Sequence, residues 1–312
     1  MKNWINRIPK LVLDKVKASG KTGVEWIESL DHLIYILEKR WGIEVIKVLE
    51  GGTHAFIGEA ITQSNKRVIL KLSMPEMIGE TEFKNEIKAL ELADGNGYVQ
   101  LLQYDLSCGA TLLEQLGKSL KNLRLPVDNQ IEIICNTLRK SWIEIPNGTN
   151  LQDGKDICSF FLNFLDGLYK EFSTLISRKT MDKVLMVCES RLDAFIPEKS
   201  VLVHGDPHNA NLLQDLYSNE FKLIDPDGIF CEPAYDLGIL MREWPDELVD
   251  NPIILGEKRC ELLSNLTNVE SQLIWEWGLI QCVATGLLLV KVGQKQEGLK
   301  LLKIAESWAE RF

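Results

Sequence analysis

The 312 residues are 45% hydrophobic and 26% charged, with a formal net charge of −10. Such a chain has apolar material for one large or two modest cores. Its acidity argues against nucleic acid as the main partner and permits a cationic small molecule.

Seven scattered cysteines with no CxxC pair point to reduced, mostly buried thiols in a cytoplasmic setting. The N-terminus, Met1-Lys-Asn-Trp-Ile-Asn-Arg7, has no signal-peptide apolar run. The most apolar stretch, Leu279 to Val290, holds Gln281 and Thr285, is too short to span a bilayer and reads as a core helix.

In chain order, residues 1–41 carry two helical stripes, Ile5, Ile8, Leu11, Val12 and Val16, then Trp26, Leu30, Leu33, Ile34 and Leu37. Gly42 closes them, and a packing extension is expected. Short strands follow at Glu44–Leu49, Ala55–Thr62 and Arg67–Leu72. Gly51-Gly52 turns between the first two. It is an ordinary hairpin turn, or a loop whose bare backbone N–H groups can hold phosphate oxygens.

Lys71 interrupts the apolar run Val68-Ile-Leu-Lys-Leu, where a charge is costly unless paired. The helix expected over Thr81–Ala93 has Phe83, Ile87 and Leu90 on its inner face and Glu86 at that face's edge, within reach of Lys71. Glu82 is the rival and lies less well relative to the stripe.

Tyr98–Tyr104 reads as a last strand, and Asp105–Gly109 as the boundary to a mainly helical remainder. Helical periodicity covers Ile131–Ile143, Ile157–Leu175 and Val184–Ile196, with Pro146-Asn-Gly148 breaking the first from the second. The last part is helical again, over Gly256–Leu266, Val269–Lys291 and Gln294–Phe312. Trp275, Trp277 and Trp308 read as core, with Glu276 a possible contact for a cationic ring. Residues 231–250 hold six acids and one base, Arg242. They form either a field for a polyamine-like substrate or a solvated face.

The stretch with most chemical content lies between these helices. Leu202-Val-His204-Gly-Asp206-Pro-His-Asn-Ala-Asn211 precedes Phe221-Lys-Leu-Ile-Asp225-Pro-Asp-Gly228. Each begins as a buried strand and runs into a polar loop, so each delivers side chains from a rigid element. Asp206 can accept a hydroxyl proton. Asn211, five residues on, and Asp225 are the hard oxygen donors that Mg²⁺ takes beside phosphate oxygens. A His-x-Asp, an Asn five later and an Asp loop one hairpin on is the layout of a kinase catalytic and metal loop. Gly205 replaces the protein-kinase arginine. Asp227 falls two residues late to replace Asp225 as a ligand, though a strained loop could bring it in. His204, after Val-Leu-Val, reads as a core histidine bonded to backbone. Alone, Asp206 and Asn211 could equally cap turns.

His204-Gly-Asp-Pro-His-Asn-Ala-Asn211 with Ile224-Asp-Pro-Asp-Gly228 and Glu232-Pro-Ala-Tyr-Asp-Leu-Gly238 resembles the aminoglycoside phosphotransferase family, most closely its streptomycin 6-phosphotransferase, or aminoglycoside/hydroxyurea kinase, branch. The resemblance covers about residues 41–312. It implies a protein-kinase-like α/β (α+β) fold with a helical extension over 1–42, a mostly-β N-lobe over 43–106 and a helical C-lobe over 107–312, with ATP in the cleft. It also implies ATP- and Mg²⁺-dependent phosphorylation of a small-molecule hydroxyl, on an aminoglycoside such as streptomycin.

Asp206 would be the base and Asn211 and Asp225 the metal ligands. Lys71, braced by Glu86, would hold phosphates under Gly51 and Gly52. The backbone of Tyr104 and Leu106, with Gln103 beside it, would bind adenine, and His204 and Asp236 would be structural. Neither nucleic acid nor membrane is an expected partner, and a monomer or weak homodimer is expected. The alternatives are a kinase of hydroxyurea or another hydroxylated metabolite, a metallophosphoesterase using His204, Asp206, His208 and Asn211, and a non-catalytic nucleotide-binding module.

Overall fold

The structure is a computed structural model that describes residues 4–50, 52, 54–74, 81–145 and 149–311. The Pro146–Gly148 break and Gly51 lie outside the described residues. The chain forms two compact units, residues 1–117 with 214–227, and residues 118–213 with 228–312. The segment bearing Asp225 thus belongs with the N-terminal part of the chain.

The first unit is built on an antiparallel sheet of β1 (Ile43–Val48), β2 (Ala55–Thr62), β3 (Arg67–Ser73), β4 (Leu101–Asp105) and β5 (Ala110–Glu114), in the order β1-β2-β3-β5-β4. Strand alternation turns Val68, Leu70 and Leu72 to one face. There they pack with Val12, Val16, Trp26, Leu30, Ile34 and Leu37 from α1 (Lys10–Ala18) and α2 (Gly20–Trp41). The N-terminal stripes are therefore a lid over this sheet face. Gly42, at φ 62°, ends α2 in the left-handed conformation and feeds β1. The same alternation puts Lys71 on the opposite face, level with Ile57 of β2 and Thr111 of β5. α3 (Thr81–Ala93) follows, with Phe83, Ile87 and Leu90 buried.

The β4–β5 hairpin corrects one expectation. Residues 106–109 turn between two strands of the sheet and do not lead out of it, because Ala110–Glu114 pairs with β3 along Leu72↔Ala110 to Val68↔Glu114. The chain passes to the second unit only after Gly117. Gln103, Tyr104 and Leu106 therefore lie on the outermost strand and its turn, with Tyr104 42% and Leu106 48% exposed.

The second unit is mainly helical around a three-stranded sheet, β6 (Gln152–Asp153), β10 (Ile229–Cys231) and β7 (Val201–Val203). The strands β8 (Leu212–Gln214) and β9 (Phe221–Leu223) flank the Asp215–Glu220 turn, whose ends join by Asp215 N–H to Glu220 O. Two helices matter for the site, α8 (Ala234–Arg242) and α10 (Ser271–Lys291). The latter is long and apolar enough, by length and composition alone, to cross a membrane, but 72% of its apolar window is buried within the protein. Its Trp275 and Trp277 and the C-terminal Trp308 are core residues. α8 and α10 cross closely at Gly238 and Gly278. A Cβ on Gly238 would lie 2.5 Å from Trp277 Cβ, so only glycine permits the approach. That crossing fixes α8, which carries Asp236 in its first turn.

Candidate active site

In the first unit, Lys71 Nζ lies 2.7 Å from Glu86 Oε1 and 2.8 Å from Asp225 Oδ1. Glu86, not Glu82, meets the lysine because it stands one turn from Phe83 and Leu90 on the buried side of α3. Asp225 is delivered by backbone pairing: Leu223 N–H donates to Gly97 O and Val99 N–H to Leu223 O, both at 2.8 Å. Asp225 itself sits at φ 56°, a left-handed conformation costly for a non-glycine residue. Burial opposes the charge on Lys71, but Asp225 and Glu86 outweigh it, so its pKa lies above the ordinary lysine value and it stays an ammonium. Burial pushes the Glu86 carboxyl up, and Lys71 pulls against it.

Gly52 stands at the turn before β2, where a Cβ would lie 2.6 Å from Ala55 O. The bare backbone expected there is thus a steric requirement of the turn itself.

In the second unit, β7 runs into the 204–211 loop, and Asp236 of α8 holds that loop from below. Its carboxylate is fully buried and accepts from His204 N–H at 3.0 Å, Gly205 N–H at 2.9 Å and the Trp142 indole N–H at 2.9 Å. Burial raises the Asp236 pKa, and these donors work against the rise. His204 is also fully buried, and its Nδ1 accepts from Asp206 N–H at 3.0 Å.

The Asp206 carboxylate emerges 40% exposed, with His208 Nε2 3.3 Å from one oxygen and Arg242 Nη2 3.5 Å from the other. Burial would raise its pKa, but His208 and Arg242 outweigh it and hold the carboxyl below its ordinary value. The Asn211 side-chain N–H donates to Asp206 O at 3.1 Å, which leaves the amide oxygen as the acceptor end. That oxygen and the half-exposed Asp225 carboxylate are both hard donors of the kind Mg²⁺ takes. Among the described residues no group of three or more His, Cys, Asp or Glu could hold a metal.

Two residues beside Asp206, His208 and Arg242, were not expected as its neighbours in a transfer site. Arg242 gave one signal only, as the single base in an acidic run. That run is not a free field. Glu232 accepts from the Trp277 indole at 2.9 Å and lies 3.4 Å from Arg191, Glu243 pairs with Arg242, Asp246 with Lys300 and Glu247 with Arg259. Glu276, expected as a contact for a cationic ring, lies 2.7 Å from Arg191 Nε, so its charge is already matched inside the unit.

A hydroxyurea phosphotransferase from Kitasatospora aureofaciens is 24% identical over 293 residues, 88% of this chain and 83% of that protein. The choline kinase LicA from Streptococcus pneumoniae aligns over 91% of this chain and all of its own, at TM-score 0.61 and 16% identity. The spectinomycin phosphotransferase APH(9)-Ia, solved with ADP and spectinomycin, aligns over 90% of this chain and 98% of its own, at TM-score 0.52 and 16% identity. The fold is therefore protein-kinase-like, a mixed α/β architecture with an antiparallel-sheet unit and a larger helical one. Residues 59–293 match the family described as aminoglycoside/hydroxyurea antibiotic resistance kinase, and the chain belongs to that family of small-molecule phosphotransferases.

Proposed function

We propose that the chain transfers the γ-phosphoryl group of ATP to a hydroxyl of a small antibiotic or antimetabolite, with a streptomycin-like aminoglycoside as the first acceptor to test. The observation that carries this reading is the Lys71–Glu86–Asp225 trio, an ammonium held between two carboxylates from three separate elements. A buried ammonium fixed in this way is suited to hold phosphate oxygens. Hydroxyurea is the second reading, favoured by the 24%-identical hydroxyurea phosphotransferase and by the internal pairing of the acids at 232–247, which leaves less negative field for a polycation.

In this mechanism Asp206 orients the acceptor hydroxyl and takes its proton as the bond to phosphorus forms. Its depressed pKa keeps it ionised at neutral pH, and a loose transition state asks more for position than for basicity. Asp236 and His204 hold the loop backbone so that the Asp206 side chain has a fixed origin. Lys71 neutralises and orients the nucleotide phosphates, and Glu86 keeps the lysine in place. Asn211 and Asp225 would hold Mg²⁺, which when bound neutralises charge on the transferring group. The adenine-binding backbone is assigned to the stretch after β5, residues 115–117, because the 106–109 turn belongs to an outer hairpin.

The test is Mg²⁺-dependent ATP consumption against a panel of aminoglycosides, hydroxyurea and choline, with mass detection of the product. A single acceptor that gains one phosphate, a hydroxylated drug among them, supports the reading. A phosphomonoesterase activity with no transfer would overturn it.

A further inference from the structure

We propose that Arg242 is a positioning residue for Asp206, so that α8 sets both the backbone and the carboxylate of the acceptor-side aspartate. This deepens the phosphotransfer reading and rests on it. Asp236 in the first turn of α8 takes the His204 and Gly205 N–H groups, and Arg242 at the end of the helix brings Nη2 to 3.5 Å from Asp206 Oδ1. Gly205, immediately before Asp206, supplies no cation, so the positive charge on that carboxylate comes from α8 and from His208 on the other oxygen.

Arg242 is only 15% exposed, and Glu243 Oε1 holds its Nη1 at 2.8 Å. Its Nε–H is buried with no hydrogen-bond partner among the described residues. A buried guanidinium donor left unmet is costly. With Nε unmet, the guanidinium directs Nη2 at Asp206 and Nη1 at Glu243. The two contacts fix Asp206 from both sides and leave its exposed edge to an acceptor hydroxyl. Removing one of them lets the carboxylate rotate about χ1 and χ2, and a misplacement of about 1 Å costs on the order of 100-fold in rate.

The experiment uses the full chain, with active sites counted by nucleotide binding and folding checked by melting temperature. Arg242→Gln is expected to lower kcat about 10- to 100-fold with the nucleotide KM unchanged, and Arg242→Lys to recover part of the loss. In an Asp206→Asn background, Arg242→Gln is expected to add no further loss, since a residue acting through Asp206 has nothing left to position. A multiplicative loss in the double variant, a wild-type kcat in Arg242→Gln, or a parallel rise in nucleotide KM overturns the inference alone. If Arg242→Gln does not fold, the same cycle is read on Arg242→Lys. Absence of transfer by the wild type on every acceptor overturns the phosphotransfer reading, and the inference falls with it.

Discussion

The candidate residues of the two units differ in what chiefly holds them. In the first unit, Lys71, Glu86 and Asp225 are fixed by charge, side chain to side chain, with separations of 15 and 154 residues along the chain. In the second, the backbone of Asp206 is fixed by its loop, anchored through His204, Gly205 and the buried Asp236, and charge from His208 and Arg242 acts only on the carboxylate at its tip. A charge-held group is sensitive to removal of its partner and tolerant of small shifts. A backbone-held group is sensitive to anything that moves the helix beneath it. Variants at the two places should therefore fail differently.

Asp206→Asn carries the largest expected effect on rate, a loss of about 10²–10⁴-fold in kcat, measured as phosphorylated product per nucleotide-binding site. Lys71→Met should follow with about 10²–10³-fold, and with a raised nucleotide KM, because a charged phosphate contact is removed. Asp236→Ala should lose activity through stability, about 3–5 kcal/mol by chemical denaturation, since it strands two loop N–H groups and an indole N–H in a buried site. Gly238→Ala should cost about 1–3 kcal/mol, because the new methyl meets Trp277 across the α8–α10 crossing, and its remaining activity should track the folded fraction.

The smallest effect expected is that of pH. Asp206 is held below the ordinary carboxylate value of 3.8, so the carboxylate form persists as pH falls toward that value and is lost only below it. The acceptor kcat/KM should show no acid limb down to about pH 5, and an acid limb near pH 6 would mean another group is the base. On the alkaline side it should decline as His208, whose pKa Asp206 raises against burial, loses the proton that holds the carboxylate.

The legible parts of this molecule are those where local pattern and chemistry coincide. The 202–211 and 221–228 segments show strand, turn and acceptor in one run. Lys71 is conspicuous because a charge interrupts an apolar strand, and Glu86 because of its place on the helical stripe. The N-terminal stripes were visible as helices, but the sheet face they cover depends on which way Leu70 and Leu72 point. β5 was missed because Ser107-Cys-Gly109 looks like an exit from a domain, and only pairing with β3 shows it to be a hairpin turn. The acidic run at 231–250 could not be divided between a substrate field and a solvated face from a local window. Several of the partners lie elsewhere, as Lys300 does for Asp246 and Arg259 for Glu247, and a local window holds neither. Arg242 was hidden for the same reason: its contact with Asp206 spans α8 and the loop, and the charge beside it in sequence is Glu243.

The central claim is that one unit holds nucleotide and the other directs the acceptor. The most direct test is ATP affinity measured side by side on Asp206→Asn and Lys71→Met. The account predicts wild-type affinity with transfer slowed about 10²–10⁴-fold for Asp206→Asn, and weakened affinity for Lys71→Met. Equal loss of nucleotide binding in both variants, or transfer at the wild-type rate in Asp206→Asn, would contradict it.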